Sequence, residues 1–313
     1  MKLLLPDSLP LSLPHTDGVD VVTYEAARPV PAEHFNAEAL VIWGSSRTDI
    51  DSVSDLMPRL RWVQTLSAGS DAVVSARFPH DVILTSGNGL HNRTVSEHTL
   101  ALILALVRRL PDAAAAQQER RWARELGGVQ PLHRDDMVTS LLGANVLVWG
   151  FGSIGQTLAP LLQMLGANVR GVARTPGVRA GITVVGDRDI ESELHQTDVL
   201  VMILPSAPET NRALDAKLLA ALPARALVVN VGRGSTVDED ALKAALAAGD
   251  ISGAALDVTS HEPLPSDSPL WTAERLILTP HAAGGRPIGA SSLIATNLTA
   301  LIEGKPLKNV VAR

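Results

Sequence analysis

"NVLVWGFGSIGQTLAPLLQMLG", residues 145–166, changes its hydrophobic rhythm at three glycines. The first five residues are an apolar run of strand length, and the residues from Ser153 onward have the apolar spacing of a helix. Gly150, Gly152 and Gly155 stand at the junction as G-x-G-x-x-G. The first glycine permits a tight turn, the second lets the backbone approach a pyrophosphate, and the third lets helix and strand pack closely. A helix opening at Ser153 and Ile154 directs unsatisfied N–H groups and a positive dipole end at the same place. The stretch predicts a strand, a phosphate-binding turn and a helix, the opening unit of a doubly wound parallel sheet. Pro160 falls inside the predicted helix, where its missing N–H favours a kink.

Similar apolar runs recur on both sides. After it come 168–173, 182–185, 198–204, 226–231, 252–257 and 275–278. Before it come "KLLLP" (2–6), "VDVVTY" (19–24), "ALVIWG" (39–44), "LRWVQTL" (60–66) and "DVILTS" (81–86), with helix-like segments between. The alternation predicts an α/β protein with two doubly wound parallel-sheet, Rossmann-like domains, and 313 residues exceed what one core usually supports. One long helix is expected from Thr94 to Leu126, capped by Asn92 or Thr94, with Glu97 completing a capping box and Gly127 and Gly128 ending it. Residues 129–144 read as polar and irregular.

Composition narrows the function. With 46% hydrophobic and 19% charged residues the chain reads as an ordinary soluble globular protein. A net charge of -6 and a pI near 5.8 offer no basic footprint for nucleic acid or anionic membrane. The absence of cysteine removes disulfides, thiolate metal sites and cysteine nucleophiles, and fits a cytoplasmic protein. "TLALILALV" (99–107), the longest apolar run, is shorter than the roughly 20 residues of a membrane span. It reads as a buried helix. His91, Glu97 and His98 are the nearest approach to a metal cluster, yet the two histidines share a helix face only if the helix starts before its caps, so no metal is expected. Ser153 lacks the leading glycine of a G-x-S-x-G elbow, which argues against serine hydrolysis.

The strand "NVRGVARTPG" (168–177) runs into a turn at Arg174 and Thr175. A site for NAD presents an acid there to the ribose 2′-hydroxyl. No Asp or Glu occurs between Gly155 and Asp187, and a guanidinium beside a hydroxyl suits a 2′-phosphate. The residues point to NADP(H) as the preferred cofactor. An NAD(H) site that lacks the usual acid, with Arg174 a solvated loop cation, is the other reading.

"LVVNVGRGSTVDEDAL" (227–242), "GAALDVTSHEPLP" (253–265) and "LILTPHAAGG" (276–285) resemble signature blocks of the D-isomer-specific 2-hydroxyacid dehydrogenases. The resemblance extends to "SAGSD" (67–71), "GNGLHNRTVSEHTLALIL" (87–104), the glycine fingerprint and "LPSAPETNRAL" (204–214), in the family's order. It implies a substrate domain formed by residues 1–93 and 285–313, split around a dinucleotide-binding domain of residues 94–284. Arg233, Glu262 and His281 match the family's catalytic arginine, glutamate and histidine. Cofactor contacts are implied at Gly150, Gly152, Ser153, Ile154, Gly155, Arg174, Thr175, Leu204, Pro205, Thr210, Val231, Gly232, Arg233, Asp257, His281 and Gly284. The family's dimers pair through the long helix, which implies a homodimer. "VIWG" (41–44) with "VARTPG" (172–177) is most similar to the glyoxylate and hydroxypyruvate reductase branch, with Trp43 at the substrate or, equally, in the core. Formate dehydrogenases of the same superfamily pair the histidine with glutamine, and Glu262 speaks against that branch.

The residue types suit the implied chemistry. Reduction of a 2-oxo acid needs a hydride donor, a proton donor at the carbonyl oxygen and a cationic clamp on the carboxylate. Histidine changes charge near neutral pH, and a carboxylate such as Glu262 would fix its orientation and tautomer. Arg233 can engage two oxygens at once. Backbone amides of Ala68 and Gly69 could hold the remaining carboxylate oxygen, and Asp257 could take the nicotinamide carboxamide. The expected partner is a small 2-oxo or 2-hydroxy acid. The second reading is a dinucleotide-sensing, corepressor-type binding protein, which would be expected to carry peptide-docking tails that this sequence does not show.

Overall fold

The computed structural model describes residues 1–312 as two compact units, one built from Met1–His91 and the chain from Gly285 onward, the other from Asn92–Gly284. The first opens with β1 (Lys2–Pro6), β2 (Asp20–Tyr24), β3 (Ala39–Ile42), α1 (Arg47–Leu56), β4 (Trp62–Thr65), α2 (Asp71–Ser75) and β5 (Ile83–Thr85). Its strands form a parallel sheet in the order β2-β1-β3-β4-β5. Successive strand residues face opposite ways. Leu4, Leu40, Val63 and Leu84 therefore meet Ile50, Val53 and Val73 of α1 and α2, while Leu3, Leu5, Val41 and Trp62 form the opposite face.

The second unit begins with α3 (Asn92–Val107), α4 (Leu110–Gln118) and a hairpin of β6 (His133–Arg134) and β7 (Met137–Val138). There follow β8 (Asn145–Trp149), α5 (Ser153–Met164), β9 (Asn168–Ala173), β10 (Gly177–Arg179), β11 (Ile182–Gly186), α6 (Ile190–Leu194), β12 (Val199–Met202), α7 (Ala216–Ala220), β13 (Leu227–Asn230), α8 (Glu239–Ala248), β14 (Gly253–Leu256) and β15 (Leu276–Leu278). The sheet order is β10-β11-β9-β8-β12-β13-β14-β15, parallel except for β10 at the edge. The strand order reverses between β8 and β12, and ligands of such sheets bind beyond the strand ends at that point. α3 and α5 cover one face; α6, α7 and α8 cover the other. Strands buried on both faces explain the continuous apolar runs of the sequence.

The chain then returns to the first unit as α9 (Ala290–Ile302), whose Ile294, Leu298 and Leu301 cover the face of Leu3, Leu5, Val41 and Trp62. A buried polar network joins the two chain segments. Gln64 Oε1 accepts from Asn297 Nδ2 (2.9 Å) and Thr85 Oγ1 (2.8 Å), Asn297 Oδ1 accepts from the Lys308 amide (2.7 Å), and Trp62 Nε1 donates to Thr85 Oγ1 (2.8 Å).

Five local expectations are corrected. The helix expected over 94–126 is two helices broken at Arg109, which adopts φ 51°. Pro111 lacks an N–H and its ring would meet the carbonyl four residues back, so the helix restarts with proline in its first turn. The first helix begins at Asn92, ahead of the expected Thr94–Glu97 box. Residues 129–144 contain the β6–β7 hairpin, and β10 pairs antiparallel where no strand was expected. Pro160 stays within an uninterrupted α5 on its exposed side, where water can satisfy the freed carbonyl.

Candidate active site

Gly150 sits just past β8 at φ 96°, and a Cβ there would lie 2.5 Å from Ile203 O, so the ends of β8 and β12 meet backbone to backbone. Val172 O accepts from the Gly150 and Phe151 amides, each at 3.0 Å, which ties the turn to β9. A Cβ on Gly155 would come within 3.2 Å of Val148 Cγ1 and 3.3 Å of Phe151 Cδ2, the close packing of helix on strand. Gly152 differs: its φ is −89°, and a Cβ would meet no protein atom within 4 Å. The fold does not require glycine there. The open space lies at the N-terminus of α5, which has no side-chain cap, and these features fit a pyrophosphate.

Arg174 and Thr175 are exposed in the turn that follows β9. Arg174 makes no side-chain hydrogen bond or ion pair among the described residues. The turn is braced by a residue the sequence reading missed. Arg179 donates from Nη1 to Phe151 O (3.0 Å) and from Nη2 to Thr175 O (2.6 Å), linking the glycine loop to the Arg174–Thr175 turn. Its only sequence signal was a second arginine five residues on.

Arg233 follows β13 in an extended conformation. Asn230, fully buried, brackets it: Nδ2 donates to Arg233 O (3.0 Å) and Oδ1 accepts from the Gly232 amide (3.0 Å). Thr236 Oγ1 also donates to Arg233 O (2.6 Å). Cβ atoms on Gly232 and Gly234 would lie 2.6 Å from Leu204 O and 1.9 Å from Thr259 C, so this loop packs directly on the chain leaving β12 and on the loop leading to Glu262. Leu204 and Val231 are buried, and Thr210 Oγ1 folds the intervening loop by donating to Pro205 O (2.7 Å) and accepting from the Ala207 amide (3.0 Å).

Glu262 and His281 are brought together. Oε2 of Glu262 lies 2.7 Å from His281 Nδ1, and Oε1 accepts from the Thr259 amide at 3.0 Å, so both carboxylate oxygens are engaged. Nδ1 therefore carries the proton of the pair, and Nε2 is the nitrogen left to exchange one with a ligand. His281 adopts φ 52°, held by bonds from its amide to Asp257 O (2.8 Å) and Thr279 O (3.0 Å). Asp257 is buried. Its Oδ1 accepts from Thr279 Oγ1 (2.6 Å) and the Ala282 amide (2.8 Å), its Oδ2 from the Ala283 amide (3.0 Å), and Gly284 follows directly.

The remaining expected residues lie in the first unit. Trp43, partly buried just past β3, stacks on His91 with ring centroids 5.4 Å apart. Burial holds His91 below the ordinary imidazole range, and as a neutral ring it donates from Nε2 to Leu66 O at 2.8 Å. A Cβ on Gly87 would lie 2.0 Å from that same oxygen. Leu66 is thus clamped two residues before Ala68, in the loop between β4 and α2 that also carries Gly69. Among the described residues no three His, Cys, Asp or Glu side chains group as a metal site would require, and no helix is long and apolar enough to cross a membrane.

The sequence model of the NAD binding domain of D-isomer specific 2-hydroxyacid dehydrogenases matches residues 100–283, more than half the chain. This chain belongs to that family. The dehydrogenase is 34% identical over 273 residues to glyoxylate/hydroxypyruvate reductase A of Salmonella dublin, covering 82% of this chain and 81% of the relative. Its fold matches a D-isomer specific 2-hydroxyacid dehydrogenase from Xanthobacter autotrophicus Py2, solved with NADPH and MES, at a TM-score of 0.80 and 32% identity over 95% of this chain and 90% of that one. A family member from Aeromonas salmonicida gives a TM-score of 0.83 at 28% identity, covering 99% and 98%.

Proposed function

We propose that this dehydrogenase reduces a small 2-oxo acid, of the glyoxylate and hydroxypyruvate kind, to the D-2-hydroxy acid, using NADP(H) in preference to NAD(H). The carrying observation is the 2.7 Å contact of His281 Nδ1 with Glu262 Oε2. A carboxylate there stabilises the imidazolium and leaves Nε2–H to protonate the carbonyl oxygen as charge develops on it. When bound, the reduced nicotinamide supplies the hydride. In the second unit Arg233 holds carbonyl and carboxylate oxygens through its planar fork; in the first, the amides of Ala68 and Gly69 and the ring of Trp43 are the substrate contacts that the family resemblance implies. Gly150, Gly152, Ser153, Ile154 and Gly155 receive the pyrophosphate, and Arg174 and Thr175 the 2′-phosphate. Leu204, Pro205, Thr210, Val231, Gly232 and Gly284 shape the nicotinamide end; Asp257, expected to take the carboxamide, is instead enclosed, its carboxylate engaged by Thr279, Ala282 and Ala283, and braces the loop that carries His281. The name of the Salmonella relative supports the substrate class, and the NADPH of the Xanthobacter structure supports the cofactor. Depletion of NADPH and NADH over a panel of 2-oxo acids tests the reading. It fails if none is turned over.

The reading extends to a cytoplasmic homodimer. Leu110, Trp122, Val129 and Leu132, on the stretch after α3, are each more than half exposed, a density of exposed apolar groups that suits a partner surface. Light scattering should return twice the chain mass of 33.0 kDa, and a monomer at micromolar concentration removes this part.

A further inference from the structure

We infer that His98 is a positioning residue for the loop that carries His281, acting through the Asp257 carboxylate and the Thr279 hydroxyl. The inference rests on the reading of His281 as proton donor. His98 projects from α3, and its Nε2 lies 3.1 Å from Thr279 Oγ1 and 3.2 Å from Asp257 Oδ1. The single hydroxyl hydrogen of Thr279 goes to Asp257 Oδ1 at 2.6 Å, and a carboxylate only accepts. The hydrogen between His98 and these two oxygens is therefore on Nε2.

Asp257 is 1% exposed, and its carboxylate is surrounded by the Thr279 hydroxyl, the Ala282 and Ala283 amides and His98. The first three belong to the loop itself. His98 comes from another element and fastens the loop to α3, whose Val95, Leu102 and Ile103 are seated in the core. The loop needs such a fastening, because His281 occupies the left-handed region at φ 52°. A non-glycine residue stays there only where its surroundings over-determine it. With its Nε2 directed at Thr279 and Asp257, His98 acts on the reaction through them.

The test uses the full-length protein with NADPH and glyoxylate, and hydrogen exchange of segment 279–284 in the free protein. His98→Leu is expected to lower kcat roughly ten- to a hundredfold through misplacement of the proton donor, with KM for the oxo acid held within about twofold, and to speed exchange of the segment. His98→Gln, which restores an N–H donor, should recover most of both. Wild-type kcat and exchange in His98→Leu would overturn the inference, as would a His98→Gln variant no better than His98→Leu. If His98→Leu does not fold, Thr279→Val against Thr279→Ser makes the same comparison, with the loss expected in valine alone and equal effects overturning the inference. A wild type inert toward every 2-oxo acid refutes the functional reading instead, and the exchange comparison then decides alone whether His98 holds the loop.

Discussion

Arg174 offers the sharpest quantitative test of cofactor choice. It is exposed and has no side-chain partner among the described residues, so replacing it removes no internal contact and should change stability by less than about 0.5 kcal/mol. The turn keeps its shape, because Arg179 holds Phe151 O and Thr175 O independently. A hydrogen bond to a charged group contributes about 1.5–3 kcal/mol, or roughly ten- to a hundredfold in affinity. Solvent screening at an exposed site favours the lower end, about tenfold. Wild type should therefore show a kcat/KM for NADPH about tenfold above that for NADH. Arg174→Ala should bring the two close together, and Arg174→Asp should reverse them by repelling the phosphate and accepting from free ribose hydroxyls. Calorimetry with 2′,5′-ADP against 5′-AMP reads the same contact without turnover. Raising salt from about 0.1 M to 1 M, where the screening length falls from about 10 Å to 3 Å, should erode the preference. An unchanged NADPH to NADH ratio in Arg174→Ala would refute the reasoning.

Other residues make separable predictions. His281→Ala should lower kcat by about 10²–10⁴ while NADPH affinity, followed by nucleotide fluorescence, stays near wild type. Glu262→Gln replaces the charged acceptor of His281 Nδ1 and should lower kcat while NADPH affinity stays near wild type; a wild-type kcat counts against the pair. Gly152→Ala meets no protein atom and should melt like wild type with weakened cofactor binding, whereas Gly150→Ala combines a positive φ with a 2.5 Å approach to Ile203 O and should melt lower with or without ligand. Asn297→Leu strips a donor from Gln64 and an acceptor from the Lys308 amide, and should cost about 1–3 kcal/mol in urea unfolding.

The sequence was most legible where one physical cause dominates. "VLVM" (199–202) and "LVV" (227–229) are apolar throughout because β12 and β13 are covered on both faces, and Gly150 and Gly155 answer local packing between adjacent elements. The break at Arg109 was signalled by Pro111, whose effect on the preceding turn the apolar run "TLALILALV" concealed. β10 gave no apolar pattern because two of its three residues are exposed. The bracing residues were hidden for a different reason. Asn230, Arg179 and His98 work on groups brought near by folding or on backbone carbonyls, and neither leaves a spacing in the chain. Glu262 and His281 were marked by their motifs, but their contact spans 19 residues and depends on a loop that Gly234 allows to lie against Thr259.

The discontinuous unit sets a timetable for synthesis. Gln64 leaves the ribosome 233 residues before Asn297, an interval on the order of 10 to 50 s at usual elongation rates. Throughout it, Leu3, Leu5, Val41 and Trp62 lie on a sheet face whose cover, α9, has not yet been made, while Asn92–Gly284 emerges as one continuous stretch and is free to fold first. A nascent chain with a bare apolar sheet is a client for a chaperone that holds unfinished surfaces, and arrest of translation before Ile294 should leave it bound there.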